Sequence, residues 1–146
     1  MTRVMVINGP NLNLLGSREP AIYGTATLAD IEHLVRERAT VLRADVTFVQ
    51  SNHEGELVDV VQRLRTEADG ALVNLGAYTH TSLALRDAFL ACSVPFVEVH
   101  LSNLYKREPE RQRSMTADLA LGMVTGFGPR GYVLALEALL AALADA

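Results

Sequence analysis

Short apolar runs rich in β-branched residues alternate along this chain with stretches in which apolar positions recur at helical spacing. The runs Val4 to Asn8, Asp45 to Gln50, Ala71 to Leu75, Phe96 to His100 and Leu121 to Gly126 predict strands, each bounded by turn residues or by a helical stretch. Between the first two, Leu28, Ile31, Leu34, Val35 and Leu42 fall on one face of a helix, and Thr27 followed by Asp30 resembles a capping box at its start. Leu57, Val60, Val61 and Leu64 mark a second helix. A third is expected to be capped by Thr79 or Thr81 and to run to Cys92, and Pro129 suits the first turn of a last helix reaching about Ala144. Strand and helix in regular alternation predict an α/β protein, a three-layer sandwich around a five-stranded parallel sheet. The continuous apolar character of Leu72-Val73 and of Val94 to Val99 fits strands covered on both faces.

Composition narrows this picture. A chain of 146 residues, 49% of them hydrophobic, is long enough for one core, so residues 1–146 are read as a single domain. A formal charge of -4, from 13 basic and 17 acidic side chains, leaves no basic stripe for a phosphate backbone, and nucleic acid is not an expected partner. The apolar start, Met1 to Ile7, is too short to span a membrane and lacks a signal-peptide cleavage site, so a cytoplasmic protein is expected. The one cysteine, Cys92, sits in an apolar helical stretch and reads as a buried core thiol.

The segment Gly9 to Gly24 is too long and too polar for an ordinary strand-to-helix turn, which makes it a lid or binding loop. In open parallel sheets, ligands bind beyond the carboxyl ends of the strands. Asn8 and Asn11 follow the first strand, Asn74 and His80 the third, His100 and Ser102 the fourth, so separated segments deliver polar groups to one rim.

Each group also has a plainer reading. Asn8-Gly9-Pro10-Asn11 can be a simple turn, Tyr23 an amphipathic packing residue, and His100 a core histidine satisfied by Glu98, which points to the same strand face. A phenol titrates near 10, so Tyr23 as a base at neutral pH needs a shift of about three units, roughly 4 kcal/mol. Arg18 close by can supply much of that. The four histidines form no spaced pair with one another or with the cysteine, so no metal site is expected. Gly126-Phe127-Gly128-Pro129-Arg130-Gly131 matches a dinucleotide fingerprint, but no strand follows to present the acidic ribose partner, and it reads as a tight turn and helix start. Lys106, Arg107, Arg111 and Arg113 are interrupted by Glu108 and Glu110, which suggests surface ion pairing for most of them and a carboxylate clamp for at least one.

Taken together, Asn8 to Pro20, Ile22-Tyr23-Gly24, Gln50 to Gly55, Asn74 to Ser82, Glu98 to Asn103 and Arg107 to Arg111 resemble type II 3-dehydroquinate dehydratase over nearly the whole chain. The resemblance implies a flavodoxin-like fold with sheet order 2-1-3-4-5, no cofactor, and 3-dehydroquinate as substrate. It implies Tyr23 as the base that removes the C2 proton, Arg18 beside it on a lid at about 16–24, and Asn11 positioning the water that stabilises the enolate oxygen. His100, oriented by Glu98, would protonate the departing hydroxyl. Asn74, His80, Leu101, Ser102 and Arg111 would grip the carboxylate and ring hydroxyls. Trimers stacked into a dodecamer would bring Asp87 of a neighbouring subunit towards the site.

A lysine Schiff base, the other way to activate a β-hydroxy ketone, is disfavoured because Lys106 is the only lysine and lies on a charged segment. The chain departs from the family pattern at Glu110, where an aromatic residue is usual, at Arg113, where a histidine is usual, and over Met115-Thr116-Ala117. A rival reading is a noncatalytic flavodoxin-like domain binding nucleotide or phosphate at its glycine-rich turn.

Overall fold

The apolar run that opens the chain forms strand β1 (Thr2–Asn8), buried from Val4 onward. The computed structural model describes residues 1–17 and 19–146, so Arg18 and the side chain of Tyr23 lie outside the described residues. After β1 come a helical turn α1 (Pro20–Tyr23), helix α2 (Leu28–Leu42), strand β2 (Ala44–Gln50), helix α3 (Glu54–Glu67), strand β3 (Gly70–Asn74), helix α4 (Leu83–Cys92), strand β4 (Phe96–His100), strand β5 (Gly122–Thr125) and helix α5 (Arg130–Ala144). All strand pairs are parallel, in the order β2-β1-β3-β4-β5. The strands lie where the apolar runs predicted them, with ends shifted by one or two residues. The fifth is the shortest, spanning only the stretch where Val97 to His100 of β4 pair with it.

Because successive strand residues point to opposite faces, each inner strand feeds two cores. Val4 and Val6 of β1, Leu72 of β3, and Val97 and Val99 of β4 meet Ile31 and Val35 of α2 and Leu136 and Leu139 of α5. Met5, Ile7, Ala71, Val73 and Phe96 meet Leu57, Val61 and Leu64 of α3 and Leu85 and Phe89 of α4. This parity decides where the polar strand ends point. Asn8 and Asn74 share the α5 side, whereas Glu98 and His100 share the face of Phe96.

Two helix starts illustrate how local chemistry sets boundaries. The Thr27–Asp30 capping box of α2 is present in both directions. Helix α4, however, is capped by neither Thr79 nor Thr81: Ser82 Oγ accepts from the Leu85 amide at 2.9 Å. The preceding 3-10 turn, Gly76–His80, takes up both Thr79 and the backbone before it, so the helix begins later. Cys92, expected in the core, is the last residue of α4 and only partly buried. None of the described helices is long and apolar enough to cross a membrane.

Tyr132 of α5 is fully buried between the ends of β1 and β3, which are register partners at Asn8 and Asn74. Its hydroxyl donates to Asn8 Oδ1 at 2.6 Å and accepts from Asn74 Nδ2 at 3.0 Å. Burial pushes this phenol's pKa up, against a smaller opposing effect of the Asn74 hydrogen bond, so it remains a neutral donor. Replacing Tyr132 by Phe strands one buried acceptor and one buried donor. The expected loss is about 1–3 kcal/mol in chemical denaturation, with an unchanged denaturant slope.

Candidate active site

At the carboxyl ends of β1, β3 and β4 the strands open onto a solvent-connected cleft. Pro10, Asn11 and Leu12 line it from the β1 end, Asn74, Gly76, Ala77 and His80 from the β3 end, and His100, Leu101, Ser102, Leu104, Arg107 and Arg111 from the β4 end. Seven residues expected from the sequence therefore converge here: Asn11, Asn74, His80, His100, Leu101, Ser102 and Arg111.

The β1 wall is set by close backbone packing. A Cβ on Gly9 would lie 2.2 Å from the Leu75 carbonyl oxygen, so the chain turns past β3 only with glycine there. Asn11 then adopts a left-handed conformation with φ 68°, a region asparagine tolerates. Its amide donates to Asn52 Oδ1 at 3.0 Å, and the Gln50 side chain ties Asn52 Oδ1 and the Gly9 carbonyl together at 3.1 Å each. Further along, Leu12 and Leu15 are sunk in the core, which pins the loop near its start.

The β4 wall carries the group best suited to proton transfer. His100 Nε2 donates to Glu98 Oε2 at 2.7 Å, both residues being almost completely buried. The other carboxylate oxygen, Oε1, accepts from the hydroxyls of Ser114 and Thr116. Burial is the largest influence on the Glu98 carboxyl and opposes its ionisation. The His100 hydrogen bond and charge, followed by the Thr116 and Ser114 hydroxyls, outweigh burial and hold the carboxyl below the usual glutamate range. An ionised Glu98 fixes a proton on Nε2 of His100. That leaves Nδ1, which has no partner among the described residues, as the ring atom available to the cavity.

His80 is held by its other nitrogen. Nδ1 donates to the Arg113 carbonyl at 2.7 Å, so Nε2 is the free position. Burial, assisted by the nearby His100 and Arg111 and opposed by the Arg113 carbonyl, lowers its pKa. A neutral ring with Nδ1 protonated presents a lone pair at Nε2, the complement of a substrate hydroxyl rather than of a carboxylate.

An anion has a different corner. The amides of Leu101 and Ser102 find no acceptor among the described residues, and Ser102 Oγ accepts from Arg107 Nη1 at 3.1 Å. Arg111 stands beside it with Nε on Glu108 Oε1 at 2.7 Å. Two free amides with two guanidiniums close by make a carboxylate-binding corner.

Arg107 is the main residue the sequence reasoning passed over, since an arginine among alternating charges reads as surface. Its side chain is 12% exposed. The signal available was its position five residues after Ser102, which brings it back over the β4 end. By contrast, Lys106 is exposed and faces a neighbouring groove, lined also by Ile22 and Gly24 on either side of Tyr23 and by the turn Gly126, Gly128 and Pro129. Asp87 is exposed on α4 and does not line the cavity of its own chain. The roles read for Tyr23 and Arg18 lie on a side chain and a residue outside the description.

A family model described as dehydroquinase class II matches residues 2–140. The chain belongs to this family. The chain is 51% identical over 143 residues to the 3-dehydroquinate dehydratase of Dinoroseobacter shibae, covering 98% of this chain and 95% of that one. It is 52% identical over 134 residues to catabolic 3-dehydroquinase 1 of Aspergillus terreus, with 92% and 88% covered. The crystal structure of the type II dehydroquinase from Butyrivibrio crossotus superposes with a TM-score of 0.92 at 40% identity, covering 95% of this chain and 97% of the other. The class II dehydroquinase match includes the glycine-rich turn before α5, which serves here as a turn. Gly126 and Gly128 both have positive φ, and Gly126 packs against Asn103. Membership in the class II dehydroquinases decides against the noncatalytic nucleotide-binding reading.

Proposed function

We propose that this chain is a hydro-lyase that converts 3-dehydroquinate to 3-dehydroshikimate by anti elimination of water through an enolate, in shikimate synthesis or quinate breakdown. The observation that carries the reading is the buried Glu98–His100 pair, which leaves Nδ1 of the imidazole facing a cavity with a separate carboxylate corner. The Tyr23 phenolate takes the C2 proton, with Arg18 beside it on a lid running from about residue 16 to 24. Gly16 and Gly24, both at positive φ, bracket that segment and support a hinged loop. The enolate oxygen is stabilised through a water positioned by Asn11, an arrangement of fixed donors that costs no reorganisation during reaction. His100 then donates the Nδ1 proton to the departing C1 hydroxyl, which leaves as water, while Glu98 balances the charge on the ring.

Leu101, Ser102 and Arg111, with Arg107 beside them, hold the substrate carboxylate. His80 Nε2 and the remaining N–H of Asn74 take ring hydroxyls. The whole chain acts as one cytoplasmic domain without a cofactor, assembled into trimers that stack into a dodecamer, in which Asp87 of a neighbouring subunit approaches the site. The exposure of Asp87, away from its own cavity, supports that arrangement.

Purified protein given 3-dehydroquinate is expected to raise the ultraviolet absorbance of a conjugated enone, insensitive to chelator and to borohydride. No rise, combined with thermal stabilisation by nucleotide, would instead favour a binding domain.

A further inference from the structure

The short segment Arg113 to Thr116 does more in this structure than join the rim to β5. Its Arg113 carbonyl takes the Nδ1 proton of His80, and the Met115 amide donates to the Thr79 carbonyl at 2.8 Å. On the other side, Arg86 Nη1 donates to the Met115 carbonyl at 2.9 Å, which fixes the segment on α4. Two hydroxyls then reach Glu98 Oε1, Ser114 Oγ at 2.9 Å and Thr116 Oγ1 at 2.5 Å. Ser114 Oγ also accepts from the amides of Thr116 and Ala117, at 3.2 and 3.0 Å. With its lone pairs taken, that hydroxyl has its proton to give to the carboxylate. Thr116 is 1% exposed.

We propose that Ser114 and Thr116 are positioning residues for the acid step, holding Glu98 as a carboxylate turned so that its second oxygen orients His100. This rests on the functional reading above and names the groups that keep its proton donor in register. Without the hydroxyls, a carboxyl this deeply buried would take up a proton more readily, because desolvation penalises its charged form. A protonated Glu98 would no longer orient the imidazole or balance its positive charge. His80, from the turn after β3, interacts electrostatically with both members of the pair, and Arg107 and Arg111, from the rim, line the cavity beside His100. These groups are expected to stay unchanged in the variants below.

Thr116→Val removes one donor while keeping the shape of the side chain, and Ser114→Ala removes the other. In Thr116→Val the acid limb of the kcat–pH profile is expected to move to higher pH, with kcat near pH 6 falling roughly tenfold and KM nearly constant. Thr116→Ser, which keeps the hydroxyl, is expected to restore the limb to its original position. Carbon-13 titration of the Glu98 carboxyl gives a readout independent of turnover, and in Thr116→Val its midpoint should rise. If Thr116→Val folds with both the acid limb and the carboxyl midpoint unmoved, or if Thr116→Ser behaves like Thr116→Val, the hydroxyls are merely structural and the inference fails. If the parent protein has no turnover, the functional reading fails by itself, and the carboxyl titration still decides the inference.

Discussion

His100→Ala is expected to lower kcat by about 10²–10⁴-fold while the protein remains folded and still binds its substrate. The ring stands at the end of β4 with one nitrogen committed to Glu98, so its loss removes the proposed proton donor without cutting a strand hydrogen bond. Glu98 keeps its two hydroxyl donors in that variant, which limits the cost of a buried charge left without its main partner. Binding should persist because the carboxylate corner comes from backbone amides and arginines. Steady-state kinetics together with calorimetric titration of a non-reacting substrate analogue check both halves. A kcat within a few fold of the parent would remove His100 from the mechanism. Tyr23→Phe should lose most turnover as well, and near-normal rates there would mean that another group is the base.

The second large effect is structural. Gly9→Ala would place a methyl group 2.2 Å from the Leu75 carbonyl oxygen and within 3 Å of two more Leu75 backbone atoms. Backbone cannot rotate aside as a flexible side chain can, so the end of β1 must part from the chain after β3. We expect a loss of about 3 kcal/mol or more, equivalent to a fall in Tm of roughly 10 °C. KM should rise too, because Asn11 and Asn74 stand on the two segments that separate. Gly55→Ala is the matched control. Nothing lies within 4 Å of a Cβ at that exposed helical position, and alanine there should leave Tm level or raise it slightly. Equal Tm values for the two variants would contradict the close packing at Gly9.

The sheet was legible in the sequence because β1, β3 and β4 are short, apolar and separated by segments of helical period, and the capping box of α2 because its two partners are three residues apart. The start of α4 was not, since Thr79, Thr81 and Ser82 are all competent caps and only the preceding 3-10 turn selects among them. Within the site, Asn11, Asn74, His80, His100 and Ser102 were legible as polar residues at strand ends. Their roles came from resemblance, and their pairing could be anticipated only for Glu98 and His100, two apart on one strand. Arg107 escaped because its burial follows from the 3-10 turns at Leu104–Lys106 and Pro109–Arg111, which fold the chain back over the rim. Ser114 and Thr116 escaped because they lie 16 and 18 positions from Glu98, and nothing local marks a hydroxyl as facing a distant carboxylate.

The alternation of side chains along the inner strands has an evolutionary side. The imidazole proposed to donate the proton is moored in one half of the molecule and the carboxamides around Tyr132 in the other, with the backbone ladder as the partition. Substitutions that accumulate beneath one of these moorings therefore leave the other in place. Acidity at the imidazole and the carboxamide contact of Asn74 can drift, or be engineered, as separate traits of one small protein.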